Sequence, residues 1–361
     1  MTHPYTDLPP TAYWRTAVSE LNPLETTGLW RRKIALGDTD RVATFGSCFA
    51  QHISRALVRN GFRWMNAEPG PKVLSDKLRN DYNYGIFSAR TGNIYTAKAL
   101  LQWLQWAFDI TKPPAEVWEK DGRFYDPFRP AIEPGGFASP EELHGSRART
   151  LAALRDCVTK SNVFVFTLGL TEAWENRAGG HTYATCPGTN AGSFDDAAHV
   201  FRNYDYGQVH AHLTEALELI RSRNPAIRVL LTVSPVPLTA TAAGRHVLVS
   251  TTYSKSVLRA VAGAVSDAHE HIDYFPSYEI ITAPSFRGMF YSPNDRTVSL
   301  KGVAFVMEHF MAELSPPAQD TAPSRPDTPR PAARQAAPVA KTADDLRCEE
   351  ELLEAFAPVR K

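Results

Sequence analysis

Thr44-Phe45-Gly46-Ser47-Cys48-Phe49-Ala50 decides how this chain is read. The stretch follows a strand-like run, Arg41-Val42-Ala43-Thr44, and leads into a helix-like segment from Gln51 to Arg59. A glycine, a hydroxyl and a thiol therefore fall where a strand ends and a helix begins. An α/β protein places its chemistry there, because the helix N-terminus offers unpaired N–H groups and a partial positive charge. Ser47 and Cys48 are both candidate nucleophiles, and the nearby N–H groups are candidate oxyanion donors. The same letters also suit a plain turn in which Ser47 caps the helix and Cys48 packs inward.

Working outward, apolar runs at Val42 to Phe45, Val163 to Leu168 and Val229 to Val233 are rich in β-branched and aromatic residues. Continuous runs of this length suit strands buried on both faces of a parallel sheet. Amphipathic helices over Leu151 to Lys160 and Val209 to Ser222 precede the second and third of them. A further helix over Ser254 to His269 leads to a strand or loop at Ile272 to Phe275, and Gly302 to Leu314 closes the pattern. Alternating β and α segments imply a doubly wound α/β sheet.

Composition removes several classes of function. Lys+Arg and Asp+Glu are equal at 39 each, so no basic surface for nucleic acid or membrane is expected. With 43% hydrophobic and 11% aromatic residues, the chain can build a large core. The 4 cysteines, Cys48, Cys157, Cys186 and Cys348, show no CxxC spacing, which argues against a zinc site or a disulfide framework. No metal and no cofactor is expected. The N-terminus lacks a basic-then-apolar leader, and no run reaches the roughly 18 apolar residues of a membrane span. A bacterial-type cytosolic location is the resulting expectation.

Four segments follow. Residues 1–35 read as an N-terminal arm, with a short helix around Ala12 to Glu20, packed through Tyr13, Trp14 and Trp30. Residues 36–314 form the main domain. Within it, Gly92 to Pro140 departs from the alternation, with a Trp-rich helix (Ala97 to Phe108) followed by a Pro- and Gly-rich stretch. It reads as an insertion that lids or lines a site, or as simple aromatic surface coverage. Residues 315–340 have the composition of a disordered linker. In 341–361, Thr342 can cap a short helix through Ala357 bearing Leu346, Leu353 and Phe356. Such a tail can dock on a protein partner or on its own domain; alone, a helix this short is marginal.

Gly46-Ser47-Cys48-Phe49-Ala50 is the name-giving motif of the GSCFA family. Further blocks resemble the same family: Asn83 to Phe87, Asn93 to Thr96, Thr167 to Trp174, Val233 to Leu238, Tyr253-Ser254-Lys255-Ser256 and Tyr274 to Glu279. Together they run from about Asp40 to Leu314. That family in turn resembles the SGNH (GDSL-like) hydrolases, which are esterases, lipases, acyltransferases and deacetylases. The resemblance implies a three-layer α/β/α, flavodoxin-like, mainly parallel sheet with the nucleophile just after the first strand.

Residue by residue, superfamily chemistry implies Ser47 as nucleophile, whereas a gapless overlay on Gly-Asp-Ser puts Cys48 in that position. A thiol at a helix N-terminus favours its thiolate. Gly85 matches the glycine whose N–H holds the oxyanion, with Asn83 holding its loop. Thr171 stands where the hydrolases carry an oxyanion-binding Asn. The Asp-x-x-His pair that orients and supplies the base corresponds to Asn294 and Thr297, with Asp295 one place out of register. Neither Asn294 nor Thr297 takes a proton at neutral pH. His246 is the candidate replacement base, and Arg245 beside it a candidate anion-binding group. His181 and His199 are weaker candidates. His52, one turn into the helix after the motif, can contact the site, but a His there is more often solvated, and His309 is expected on the surface of the last helix. Glu172 and Glu279 are single carboxylates suited to a base or, more commonly, to an ion pair or cap. The expected function is an SGNH-type esterase or O-acyltransferase acting on an acyl ester of a small molecule or glycan. The alternative is a non-catalytic glycan- or ligand-binding relative whose C-terminal tail recruits a partner.

Overall fold

The Val- and Phe-rich runs pair edge to edge because they have no polar face to show to water. A computed structural model of the chain describes residues 3–314 and 348–358. In chain order its elements are β1 (Arg41–Gly46), α1 (Ala50–Arg59), β2 (Arg63–Trp64), α2 (Asp76–Asp81), α3 (Ala97–Ala107), β3 (Trp118–Lys120), β4 (Arg123–Tyr125) and α4 (Pro140–Lys160). There follow β5 (Val163–Leu168), β6 (Glu172–Asn176), β7 (His199–Asn203), α5 (Tyr206–Arg223), β8 (Arg228–Val233), α6 (Val247–Ala268), β9 (Ile272–Phe275), α7 (Ser277–Thr282) and α8 (Leu300–Leu314).

The central sheet has the order β2-β1-β5-β8-β9, and every pairing in it is parallel. Numbered within this sheet alone, the order is 2-1-3-4-5, the flavodoxin-like arrangement. All six residues of β5 are buried, as a central parallel strand with helices on both faces requires. Side chains alternate between two cores. Phe45, Phe164 and Phe166 face the layer of α3, α4, α5 and α6. Val42, Val163 and Val165 face the layer of α1, α7 and α8. The architecture is three-layer α/β/α.

Between β1 and β5 the strand order reverses direction, and in folds of this type ligands bind outside the strand ends at that point. Gly46 pairs there with Thr167. Its φ is +125°, and a Cβ would stand 2.3 Å from the Thr167 carbonyl oxygen, so no other residue fits.

The segment from Gly92 onward does carry the expected helix, α3, then the β3–β4 hairpin. It is tied down by a buried cluster. Arg129 Nε donates to Asp126 Oδ2 at 2.8 Å, and Arg147 Nη2 donates to Asp126 Oδ1 at 2.9 Å. Burial pushes the Asp126 carboxyl up, but the Arg147 and Arg129 guanidinium groups outweigh it and hold the carboxyl below its usual range. The helix expected from Leu151 is only the second half of α4. Its real start is signalled by Ser139, whose hydroxyl accepts from Glu142 N, with Pro140 in the first turn.

In the arm, Trp30 is buried and stacks on Phe310 with centroids 5.6 Å apart, whereas Trp14 is 67% exposed and does not pack. The expected arm helix is instead a 3₁₀ turn at Pro10–Ala12 and a π turn at Arg15–Ser19. The linker, Thr342 and Leu346 lie outside the described residues. Beyond them, Glu349–Phe356 forms a 3₁₀ helix rather than the expected α-helix. Among the described residues no helix is long and apolar enough to cross a membrane.

Candidate active site

Ser47 and Cys48 sit at the strand-to-helix turn, but they face different surroundings. Ser47 N donates to the Thr167 carbonyl at 3.0 Å, and its hydroxyl, sealed in the protein, has no hydrogen-bond partner. It does not cap α1, whose N-cap is Phe49. Cys48 is 4% exposed and lies among Tyr95, Lys255, Arg296 and the C-terminal residues Cys348 and Glu350. Of the two candidate nucleophiles, the structure brings the thiol to the polar cluster.

Around Cys48 the cluster is built from two loops, helix α6 and the tail. Tyr95, in the loop before α3, lies beside the switch point, where its carbonyl accepts from Gly169 N at 3.0 Å and Leu170 N at 2.9 Å. Asn93 Oδ1 accepts from Gln51 Nε2 of α1 at 3.2 Å. Lys255, 1% exposed on α6, donates from Nζ to the Gly169 carbonyl at 2.7 Å. Arg296 is turned inward by an Asx turn, in which Asn294 Oδ1 accepts from Arg296 N at 3.1 Å and Thr297 N at 2.9 Å. Asp295 has φ +51° and points to solvent.

Into this cluster runs the tail. Glu349 Oε2 accepts from Asn93 Nδ2, and from Tyr95 Oη at 3.0 Å. Cys348 Sγ lies 3.8 Å from Tyr95 Oη and hydrogen-bonds with the Cys48 thiol. Glu350 and Glu351 pair with Arg296, each at 3.7 Å. The hydrogen bond to Cys348, then burial, push the Cys48 thiol well above its ordinary value; Glu350 adds to this and Arg296 opposes it. Burial brings the Lys255 ammonium down to about 8, against the pull of Glu350 and Cys48. Burial lifts the Glu350 carboxyl to about 7, against Arg296 and Lys255. Burial thus brings Lys255 and Glu350, an ammonium and a carboxyl, towards neutrality from opposite sides.

Beyond the tail lies a cavity of about 550 Å³, walled by Trp103, Phe128, Leu170, Trp174, Tyr183, Phe201 and Leu238, with Leu353 and Phe356 of the tail closing one side. Its size and apolar lining suit a small organic group. Tyr95, Glu349 and Glu350 stand between it and Cys48.

Other expected site residues are employed elsewhere. His246 is exposed at the N-cap of α6, its Nδ1 accepting from Leu248 N at 3.1 Å, and no hydrogen bond joins it to Ser47 or Cys48. Arg245 beside it is exposed, whereas Arg296 is the arginine buried in the cluster. Gly85 lies in a separate depression with Asn66, Gly70 and Tyr84. Asn83 does hold a loop by its side chain, donating to the Ala131 and Ile132 carbonyls at 3.0 and 3.1 Å, a loop that carries none of the groups acting on Cys48. Thr171 is fully buried and its hydroxyl donates to Asn203 Oδ1 at 2.7 Å, so it is not free for an oxyanion.

His52 is buried against Phe49, and burial with Arg55 and Arg59 lowers it to about 3. His181 pairs with Glu116 at 3.0 Å, His199 accepts from Asp195 N at 3.0 Å, and His309 bridges the Phe305 and Thr26 carbonyls. Glu172 accepts from Thr241, and Glu279 pairs with Arg259 and Tyr274. Among the described residues no group of three or more His, Cys, Asp and Glu side chains could hold a metal ion.

Sequence reading therefore passed over Asn93, Tyr95, Lys255, Arg296 and the Cys348–Glu350 stretch. Asn93, Tyr95 and Lys255 stand inside blocks already noted for their resemblance, and Arg296 adjoins Asp295. No curated protein matches the chain. A family model, that of the GSCFA family, matches residues 41–310, from the first residue of β1 into α8. The chain belongs to the GSCFA family.

Proposed function

We propose that the protein transfers acyl groups from esters, as a hydrolase or O-acyltransferase, with Cys48 as nucleophile. The observation that carries this reading is convergence: Asn93 Nδ2 and Tyr95 Oη both donate to one carboxylate oxygen beside Cys48. Two aimed donors at a thiol are what a developing oxyanion needs. The Glu349 carboxylate stands in for that oxygen. With the tail and its Glu350 moved aside for substrate, Lys255, drawn down to about 8, is the group left to take the thiol proton.

The Cys48 thiolate adds to the ester carbonyl, the oxyanion is held by Asn93 and Tyr95, and the C–O bond breaks. Lys255 returns the proton to the departing alkoxide, leaving a thioester on Cys48. Water or an acceptor hydroxyl then attacks the thioester, releasing the acid or a new ester and restoring the thiol. The apolar cavity of about 550 Å³ receives the acyl chain. Cys48→Ala should reduce hydrolysis of a short-chain aryl ester at least about 10³-fold, while Ser47→Ala retains activity within about tenfold. The reverse pattern would overturn the assignment.

One observation favours a second reading, a non-catalytic binding relative: among the described residues no histidine hydrogen-bonds to Cys48 or Ser47. Unchanged ester hydrolysis in Cys48→Ala, Ser47→Ala and Lys255→Met would select it.

A further inference from the structure

We propose that residues 348–358 are an internal acidic ligand of the Cys48 site, and that Arg296 with Lys255 forms a subsite for a substrate carboxylate whose place Glu350 and Glu351 hold. The inference depends on the acyl-transfer reading only for what the freed site then does.

The segment covers what the reaction needs. Cys48 is 4% exposed with Cys348 on its thiol, and Glu349 fills the position of the two converging donors. A substrate reaches Cys48 only if Cys348–Glu350 moves aside. Little holds it from outside: Leu352 and Phe356 are 41% and 65% exposed, so the segment buries few apolar groups.

The anion subsite follows from how poorly Arg296 is served. It is 8% exposed, yet its Nε and Nη2 have no hydrogen-bond acceptor. Its carboxylates stand 3.7 Å away, beyond hydrogen-bond length, one on each side of the guanidinium. Besides a hydrogen bond with Cys348, the tail neutralises the charge from 3.7 Å and leaves two nitrogens of the planar fork without an acceptor, where that fork prefers a bidentate carboxylate. A carboxylate on a freely diffusing substrate can align both oxygens on that fork. It gains charge-assisted hydrogen bonds that the tethered Glu350 and Glu351 forgo. The segment is thus a placeholder, strong enough to cover the site at rest and weak enough to be displaced. The Asn294 Asx turn that aims Arg296 inward while leaving Asp295 in solvent serves this purpose.

The test is site-resolved alkylation by iodoacetamide at pH 8, where Glu350 is ionised, followed by mass spectrometry on the full chain. In Glu350→Lys/Glu351→Lys, Cys48 and Cys348 should both react at least about tenfold faster than in the wild type, since loss of even 1.4 kcal/mol of docking shifts occupancy by that factor. Adding Arg296→Glu to that variant restores opposite charge and should bring both rates back towards wild type. In the wild type, succinate should raise Cys348 alkylation saturably, beyond sodium chloride of equal ionic strength. Buried Cys157 serves as the control for loosening; if it too accelerates, the single Glu351→Lys variant, at a half-exposed side chain, gives the comparison. Equal Cys48 and Cys348 rates in wild type and charge-reversed chains, or no recovery on the charge swap, would overturn the internal ligand. A succinate effect no greater than that of sodium chloride would overturn the carboxylate subsite.

Discussion

Arg129 and Arg296 are both buried arginines, and their surroundings could hardly differ more. Arg129 donates from Nε to Asp126, from Nη1 to the Arg90 carbonyl at 3.1 Å and to Thr150 at 2.6 Å, and from Nη2 to Ser146 at 3.1 Å. Arg296 has two nitrogens without an acceptor and two carboxylates at 3.7 Å. Leaving a buried donor unpaired costs free energy, so a fold keeps such a group where function uses it. The first arginine is architecture that fastens the inserted segment to α4. The second, in the reading proposed above, is a binding group held for a better partner.

This contrast can be broken by mutation. Removing the carboxylate in Asp126→Ala strands two buried guanidinium groups and should cost about 3–5 kcal/mol of stability, measured by urea unfolding. A loss below about 1 kcal/mol would show that the cluster is not the anchor described here. Acid sharpens the same point. Because the folded-state Asp126 carboxyl lies below its unfolded value, its contribution is complete above the ordinary carboxylate range and is lost as pH falls through the lowered value. The wild-type urea midpoint should therefore drop below pH ~4 more steeply than that of Asp126→Asn, by up to about 1.4 kcal/mol per pH unit for this proton.

Arg296→Met should leave unfolding stability within about 1 kcal/mol, since an ill-satisfied buried cation adds little net stability. A loss as large as that of Asp126→Ala would make the two arginines alike. The smallest expected effect is on proton affinity. Cys348→Ala removes the first influence that raises Cys48, so the pH midpoint for Cys48 alkylation should move down. No movement would separate the tail thiol from the Cys48 site.

The same contrast marks how far the residues could be read. β5 was legible because six successive apolar residues admit few environments other than the middle of a sheet covered on both faces. The Gly46 turn was legible because glycine alone tolerates its backbone and the nearby Thr167 carbonyl. The first half of α4 was hidden by Pro140, which reads as a breaker in a Pro-rich stretch yet serves as a first-turn residue behind the Ser139 cap. The site was half legible. Its position followed from β1, but its chemistry comes from residues distant in sequence. Lys255 reaches the Gly169 carbonyl from α6, and Arg296 is turned inward by a loop whose Asn294 reads as a failed catalytic residue. His246 and Thr171 drew notice by residue type, whereas in the fold one caps a helix and the other bonds Asn203. Nothing local in Cys348-Glu349-Glu350 announces that it returns more than 250 residues to Asn93 and Tyr95.

The central claim is that Cys48, not Ser47, carries the acyl group. Mixing the full chain with a p-nitrophenyl acyl ester, quenching in acid and sequencing the peptide that spans Gly46 to Ala50 by mass spectrometry tests it directly. The expected result is one acyl group on Cys48 as a thioester that neutral hydroxylamine removes, and none in Cys48→Ala. An oxygen ester on Ser47, stable to neutral hydroxylamine and retained in Cys48→Ala, would contradict it.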